Sequence, residues 1–139
     1  MFKAQNQVRM HDTDMAGILY FARQFRFAHD TLEDFVESLG YTFDQVFHRE
    51  KFVFVIVHAE SDYYTSLRVG DKLEIELTIE KIGESSFTVV YHIYKLDKTL
   101  VGKVKTVHVT LNSDSRVKMP IPSHFRELLA KHLVMPASS

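Results

Sequence analysis

Two carboxylates and a histidine stand close together near the start of the chain, at His11, Asp12 and Asp14. Gly17 follows, and from Phe21 onward the apolar residues have the spacing of an amphipathic helix. The start of a helix offers unpaired backbone N–H groups and a positive potential, which can stabilise the charge that grows on a carbonyl oxygen under attack. A nearby carboxylate can act as nucleophile or as general base, and Gly17 lets a ligand approach the backbone. These residues therefore favour hydrolysis of an activated acyl compound.

Two other interpretations fit the same residues. Asp12, Thr13 and Asp14 ahead of a helix are also what a turn and a helix cap require. His11, Asp12 and Asp14 can also be ligands of a metal ion, although the sequence offers no second cluster to complete such a site. The residue types alone leave both alternatives open.

The composition excludes several classes of chemistry. There is no Cys, which excludes disulfides, thiolate metal sites and a Cys nucleophile. The five glycines form neither a GxGxxG pattern nor a P-loop, and there is no Gly-x-Ser-x-Gly or HExxH motif. The net charge of −1 gives no indication of nucleic-acid binding, which requires clustered Lys and Arg.

The sequence predicts neither a membrane span nor a secretion signal. The longest fully apolar run, Phe52 to Val57, is too short to cross a bilayer. The residues at the N-terminus lack the apolar core of a signal peptide. We therefore expect a cytoplasmic protein without a membrane-spanning segment.

A long helix is predicted directly after the polar cluster. Its apolar stripe has steps of 4, 3, 4, 3 and 4 residues and consists of Phe21, Phe25, Ala28, Leu32, Phe35 and Leu39. Gly40 is well placed to end the helix, and the charged residues between the apolar ones, Arg26 among them, are expected to form a solvated face. The helix has about 18 residues and is about 27 Å long, so its stripe needs a sheet to cover it.

Four strand candidates follow the helix. The first, Phe52 to Val57, is apolar throughout, which is typical of a strand covered on both faces. The helix can supply one cover, and a second subunit or sheet is expected to supply the other. The next three, at residues 71–80, 86–94 and 100–111, alternate apolar and polar residues and are joined by short turns, which predicts antiparallel hairpins. Val107, Val109 and Leu111 are expected to share one face.

Three weaker elements complete the prediction. Residues 3–10 are a strand candidate, residues 43–50 a short helix, and residues 124–133 a C-terminal helix with Ser123 as its N-cap. The chain, residues 1–139, is then a single α+β domain in which an antiparallel sheet carries a long helix on one face.

The order of these elements and the polar segment together resemble the hotdog-fold acyl-CoA thioesterases, specifically the 4-hydroxybenzoyl-CoA thioesterase-like family. The family signature is Asp-x-Asp-x-x-Gly-Ile/Val-x-aromatic ahead of the central helix, and residues 12–20 match it. The likeness continues at residues 25–29, 58–63 and 69–71 and covers nearly the whole chain. It implies a hotdog fold, in which the sheet wraps around a long central helix.

The resemblance also implies a role for each residue of the segment. Asp14 would be the catalytic carboxylate, the backbone N–H of Phe21 would polarise the thioester carbonyl, and Gly17 would belong to the turn that presents both. His11, Asp12 and Thr13 would orient this turn. Such enzymes need no metal or cofactor, and they work as homodimers, often paired into homotetramers, with the active site at a subunit interface.

The substrate that the resemblance implies is an aromatic acyl-CoA. The segments at 25–29 and 58–60 resemble the branch that hydrolyses 1,4-dihydroxy-2-naphthoyl-CoA, and 4-hydroxybenzoyl-CoA is the related possibility. Tyr20, His29 and His58 are the expected substrate-binding residues, although either His can instead be structural. Three alternatives are open: a short-chain aliphatic acyl-CoA thioesterase, a non-catalytic acyl-thioester-binding protein, and a dehydratase that uses His11 as its base.

The position of the CoA phosphates is less well indicated. Some family members hold them with a basic cluster in a hairpin that corresponds to residues 82–86, and here that hairpin has no cation. The candidate cations are Arg23, Lys103, Lys105 and Lys131, each of which can also be a solvated surface charge.

Overall fold

A computed structural model describes residues 1–14, 17, 19, 21–41 and 51–134. The short helix predicted at 43–50 lies outside the described residues. In the described part of the chain, five strands form one antiparallel sheet with the order β1-β3-β4-β5-β2. The strands are β1 (Phe2–Gln7), β2 (Phe52–Tyr63), β3 (Lys72–Ile82), β4 (Ser86–Lys95) and β5 (Leu100–Asn112). The two predicted hairpins, β3–β4 and β4–β5, are confirmed.

The predicted long helix is confirmed as α1 (Gln24–Ser38), preceded by a 3-10 turn at Phe21–Arg23. It ends as expected at Gly40, whose φ of +89° is a conformation that only glycine adopts readily. The middle of the predicted stripe is buried, but Phe21 is 62% exposed. A 3-10 turn advances 3.0 residues per turn rather than 3.6, so Phe21 does not lie in line with the buried face of α1.

The core lies between α1 and one face of the sheet. In β3 and β4 every second residue is fully buried, as the alternation predicts, and these residues are Leu73, Ile75, Leu77, Ile79, Phe87, Val89, Tyr91 and Ile93. The helix contributes Phe27 and Phe35, both with no exposed surface. Phe27 is outside the predicted stripe, because the buried face of α1 is wider than one line of residues.

The C-terminal helix, α2 (Ser123–Ala130), is shorter than predicted, and Ser123 is not its N-cap. Pro122 holds the cap position, and its carbonyl oxygen accepts the Arg126 N–H at 2.9 Å. The ring of Pro122 carries no hydrogen-bond acceptor, so no side-chain cap is made, and its φ is fixed at −54°. Beyond α2 the chain joins the sheet, where Leu133 forms a parallel bridge with Ile79.

Strand β2 lies at one edge of the described sheet and contains a bulge. Its pairing with β5 shifts between Ile56 and His58, so Val57 is an extra residue. Side chains alternate along a strand, and one extra residue exchanges the two faces. Phe54 and Ile56 face α1 before the bulge, and Ala59 and Ser61 face it afterwards.

The single chain covers only the beginning of this strand on both faces. Phe52 and Val53 are buried, whereas Ile56 is 43% and Val57 59% exposed. The second cover that the apolar run predicts is therefore not supplied by the described residues of the same chain. Neither of the described helices is long and apolar enough to span a membrane.

Candidate active site

The segment that carries Asp14 is a loop closed at its base. Thr13 and Leu19 pair as an antiparallel bridge, and the Leu19 N–H donates to the Leu67 carbonyl at 2.8 Å. Within the loop, the Gly17 N–H donates to the Asp14 carbonyl at 3.0 Å, and Gly17 has a φ of +77°. Both features belong to a tight turn in which a side chain at position 17 would be strained. The Asp14 side chain is exposed in the single chain.

The second part of the site is the start of the helical segment. Phe21 begins the 3-10 turn that continues into α1, two residues after the paired Leu19. Its carbonyl oxygen accepts a hydrogen bond from the Tyr63 hydroxyl at 2.5 Å, which links this turn to the end of β2. Tyr20, one of the expected substrate-binding residues, lies outside the described residues.

Asp12 is fully buried and anchors the loop rather than facing the solvent. Its carboxylate accepts hydrogen bonds from Arg26 Nε at 2.7 Å, Arg26 Nη2 at 2.5 Å and the Arg9 N–H at 2.8 Å. Burial alone would raise the pKa of Asp12, but these hydrogen bonds and the charges of Arg26 and His11 outweigh it, and the pKa lies below its ordinary value. Because both oxygens are engaged in this way, the geometry does not favour a metal site at His11, Asp12 and Asp14.

Arg26 was expected on the solvated face of the helix, and this expectation is wrong. Its side chain is only 22% exposed, and it reaches from α1 to Asp12, to the Gln7 carbonyl at 3.0 Å and to Asp30 at 2.9 Å. The end of β1, the buried Asp12 and α1 are thus held together by one guanidinium group. A forked donor of this kind fits two carboxylates and a carbonyl at once, which amphipathic spacing does not reveal.

The beginning of α1 is held to the sheet by a buried amide. Gln24 Nε2 donates to Ser61 Oγ at 2.7 Å and to the Asp62 carbonyl at 2.9 Å. A Cβ atom at Gly102 would lie 2.4 Å from Gln24 Oε1, so a glycine is required at that position for this close approach. Gln24 and Tyr63 together fix the helix start relative to β2.

A groove runs between α1 and the β2 edge. It consists of two adjoining cavities of about 570 Å³ and 380 Å³ that share His29, Asp30 and Ile56. Leu32 and Phe54 supply apolar walls to the larger one. His29 therefore lies where the sequence predicts a pocket residue.

His58 lies elsewhere in the single chain. Its neighbour Ala59 lines the groove, so the His58 side chain points from the opposite face of the sheet, where its Nε2 is 3.2 Å from Glu60 Oε1. The structure does not bring His29 and His58 together within one chain. The bulge at Val57 separates them, and sequence alternation alone could not reveal it.

The floor of the groove contains a buried polar chain that the sequence analysis missed. Thr106 Oγ1 lies 2.8 Å from His108 Nε2 and 3.3 Å from the Tyr91 hydroxyl, and all three residues are buried. Burial, together with the charge of His29, lowers the pKa of His108 to about 4, and burial raises the pKa of Tyr91. Val107 and Val109 do share a face, as predicted, but the buried face of β5, which is turned toward α1, carries the polar residues Thr106, His108 and Thr110.

The four candidate CoA-binding cations are spread over the surface. Lys103 and Lys105 belong to the face of β5 opposite α1, and Lys105 forms an ion pair with Glu80 at 3.0 Å. Lys131 follows α2. Arg23 is in the 3-10 turn that begins at Phe21, so it alone of these four lies in the element that carries the candidate oxyanion donor.

Comparisons with known proteins agree with this architecture. A family model described as the thioesterase-like superfamily matches residues 8–129. The 1,4-dihydroxy-2-naphthoyl-CoA hydrolase of Nostoc punctiforme is 34% identical over 128 residues, which cover 92% of this chain and 86% of that protein. The enzyme of the same name from Synechococcus elongatus is 33% identical over 129 residues, covering 92% and 94%.

Among solved structures, a 1,4-dihydroxy-2-naphthoyl-CoA thioesterase from Synechocystis superposes with a TM-score of 0.85 at 27% identity, covering 93% of this chain and 95% of that one. The hotdog fold expected from the sequence is thereby confirmed. The match to the family model spans most of the chain, including the polar segment, the helix and the sheet. The chain belongs to the thioesterase-like superfamily.

Proposed function

We propose that the protein hydrolyses the thioester bond of an aromatic acyl-CoA, with Asp14 as the catalytic carboxylate. The observation that carries the proposal is the loop closed by Thr13 and Leu19. Asp14 follows Thr13 inside this loop, and Phe21 lies two residues after Leu19, at the start of the helical segment. Residues paired in this way lie about 5 Å apart, so the pair ties the segment that carries Asp14 to the segment that leads to Phe21.

The chemistry follows from these two parts. The Phe21 N–H, at the positive end of the helical segment, donates to the thioester oxygen and stabilises the negative charge that develops on it. Asp14 either attacks the carbonyl carbon or removes a proton from the water that attacks. When Asp14 attacks, the C–S bond breaks to leave an anhydride between Asp14 and the acyl group, which water then opens at the Asp14 carbon. When water attacks, the C–S bond breaks to give the acid directly. In both routes the CoA thiolate takes up a proton. Single turnover in labelled water distinguishes the routes, because direct attack first places an Asp14 oxygen in the acid.

Two facts support an aromatic acyl group. The relatives from Nostoc, Synechococcus and Synechocystis are named for 1,4-dihydroxy-2-naphthoyl-CoA. The groove beside His29 has apolar walls and a volume of about 570 Å³, within the range of pockets that hold small organic ligands. A 1,4-dihydroxy-2-naphthoyl or 4-hydroxybenzoyl-like group is the substrate we propose, and Arg23 is our candidate for contact with CoA.

We also propose that the enzyme is a homodimer that buries the β2 edge. This edge strand exposes Ile56 and Val57, and an unpaired edge with apolar side chains is a template for pairing with another strand. The groove borders the same edge, so a partner would complete its wall and bring a second copy of His58 to the interface. Light scattering at several protein concentrations tests the dimer and its pairing into tetramers. The cytoplasmic location stays a prediction.

Asp14→Asn tests the catalytic assignment. We expect kcat for 1,4-dihydroxy-2-naphthoyl-CoA, measured by thiol release, to fall at least about a hundredfold, the scale for loss of one acid–base group. Asp34→Asn, a change of the same kind on the exposed side of α1, is the matched control and should retain activity. A fully active Asp14→Asn enzyme would rule out the assignment, and a panel that includes short aliphatic acyl-CoAs tests the proposed substrate class.

A further inference from the structure

We propose that the outer face of the sheet, the face turned away from α1, packs against the same face of a second copy of this chain, around a two-fold axis parallel to β4. This contact is separate from the β2 edge and goes beyond the proposed function, because it involves no catalytic group. Both described helices pack on the inner face, where Phe125 of α2 meets Phe87 and Phe54. The pattern of charge on the outer face identifies the partner.

One row of outward side chains crosses all five strands. Its members stand opposite one another in the strand register and are, in sheet order, Lys3, Glu76, His92, Lys103 and Asp62. Burial and the charge of Lys103 lower the pKa of His92, so the imidazole is uncharged at pH 7. The charges along the row are thus positive, negative, neutral, positive and negative. Opposite charges lie the same number of strands away on either side of β4.

The middle strand, β4, has no fixed charge on this face. Its outward residues are Thr88, Val90, His92 and Tyr94. A residue on a two-fold axis meets its own copy, so a fixed charge there would repel itself. Beside β4, in the middle of the face, β3 carries Glu74 and Glu76, and β5 carries Lys103 and Lys105. The uncharged strand therefore lies between an acidic column and a basic one.

A rotation of 180° about an axis along β4 exchanges the two sides of the face. Glu76 of one copy then lies over Lys103 of the other, and Lys3 lies over Asp62. Each of these pairs forms twice, because the contact is symmetric. Sheets packed face to face are about 10 Å apart, a gap that a Glu and a Lys side chain span together. Complementary charges of this kind fix the orientation of the two copies.

The size and the mixed charge of the face fit this partner. Five strands about 4.8 Å apart, over a length of about six residues, form an area of roughly 24 by 20 Å. Two copies therefore bury roughly 1,000 Å², the lower limit of a specific interface. A face with both signs of charge in separate columns does not match a polyanion such as a nucleic acid, but it matches itself. Together with the β2-edge contact it gives a tetramer, and alone it gives a dimer.

The test exchanges the charges of Glu76 and Lys103. Glu76→Lys sets two lysines against each other across the axis, and Lys103→Glu sets two carboxylates. Each should raise the dissociation constant of this contact at least about tenfold. Sedimentation velocity at low salt, where surface charges act most strongly, should then show half of the wild-type mass. The double variant Glu76→Lys/Lys103→Glu again opposes unlike charges and should regain the wild-type mass.

The double variant also separates the partner from contacts within the chain. The ion pair of Glu76 with Lys3, at 3.7 Å, is lost in the single and in the double variant, so it cannot explain a recovery. Glu37→Lys makes the same change on the exposed side of α1 and should keep the wild-type mass. If Glu37→Lys lowers the mass and Glu76→Lys does not, the contact lies on the helix and the inference is wrong.

The remaining outcomes are equally decisive. A wild type that stays monomeric, single variants with unchanged mass, or a double variant no better than the single ones would overturn the inference. Mass is measured without substrate, so a protein that hydrolyses no thioester leaves this test intact. A fall from four chains to two shows that the β2-edge contact exists as well, and a fall from two chains to one shows the outer face alone.

Discussion

The Tyr63 hydroxyl donates a hydrogen bond to the Phe21 carbonyl oxygen at 2.5 Å, across 42 residues of sequence. This contact joins the last residue of β2 to the first residue of the helical segment. Gln24 makes a second connection to the same strand through Ser61 and Asp62. The backbone that presents the candidate oxyanion donor is therefore fixed from two sides by β2.

Tyr63→Phe should slow catalysis more than it weakens binding. Without the hydroxyl, the Phe21 peptide is less firmly oriented, and a donor that stabilises the transition state loses alignment. We expect kcat to fall about tenfold while KM changes less than about twofold, because the contact positions the backbone and does not reach the substrate. Steady-state kinetics with an aromatic acyl-CoA measure both values.

Tyr64→Phe is the matched control for this variant. Tyr64 is adjacent and exposed, and its hydroxyl does not hold Phe21. If the two variants have the same kinetics, or if Tyr63→Phe raises KM alone, the positioning role of Tyr63 is wrong.

Removing Arg26 should destabilise the protein strongly. Arg26→Met leaves the fully buried Asp12 carboxylate without its charged partner, and breaking a pair of this kind costs about 3 to 5 kcal/mol. The double variant Asp12→Asn/Arg26→Met should cost less than the sum of the two single changes, because the uncompensated charge is gone. Urea unfolding of the four proteins at pH 7 gives the coupling free energy, and additive effects would contradict the coupling.

The order of elements, the long helix and the hairpins could be predicted because each depends on local periodicity. The alternation in β3 and β4 predicted their buried residues, since the apolar positions do face α1. In β5 the same kind of pattern was misleading, because Thr106 and His108 face α1 instead. Their hydrogen bonds are made to each other and to another strand, and the spacing of one strand does not contain that information.

Arg26 and His58 illustrate the same limit. The position of Arg26 on the helix fits a solvated face, yet the buried carboxylate of Asp12 determines where its guanidinium lies. The face on which His58 lies depends on one extra residue, Val57, which is recognisable only from the pairing of β2 with β5. Long-range partners, rather than local preferences, decide both cases.

His108 should make the protein less stable as the pH falls from 6.5 to 4. Its pKa is about 4 in the folded protein and 6.5 in the unfolded chain, so over this range the unfolded chain binds the proton and the folded protein does not. The free energy of unfolding therefore rises with pH here, and the full effect is about 3 kcal/mol. Asp12 acts below this range: its lowered pKa contributes stability that is lost only as the pH falls below about 3.8.

The His108 imidazole stacks on Phe87, with ring centres 5.0 Å apart. His108→Phe isolates the effect of the imidazole on stability, because the phenyl ring keeps this stacking and does not titrate. The titratable groups that line the larger cavity of the groove with His108, namely His29, Asp30 and Glu33 on α1, are present in both proteins, as is Tyr91. Between pH 7 and pH 4, the free energy of unfolding measured with urea should fall by about 3 kcal/mol less for His108→Phe than for the wild type. His92→Phe is the comparison variant, and the pKa of His92 is also lowered by burial. His92→Phe should therefore also weaken the pH dependence of stability, but by less than His108→Phe does, since His92 is only partly buried. Parallel curves for the wild type and His108→Phe would show that His108 is not held neutral by its surroundings.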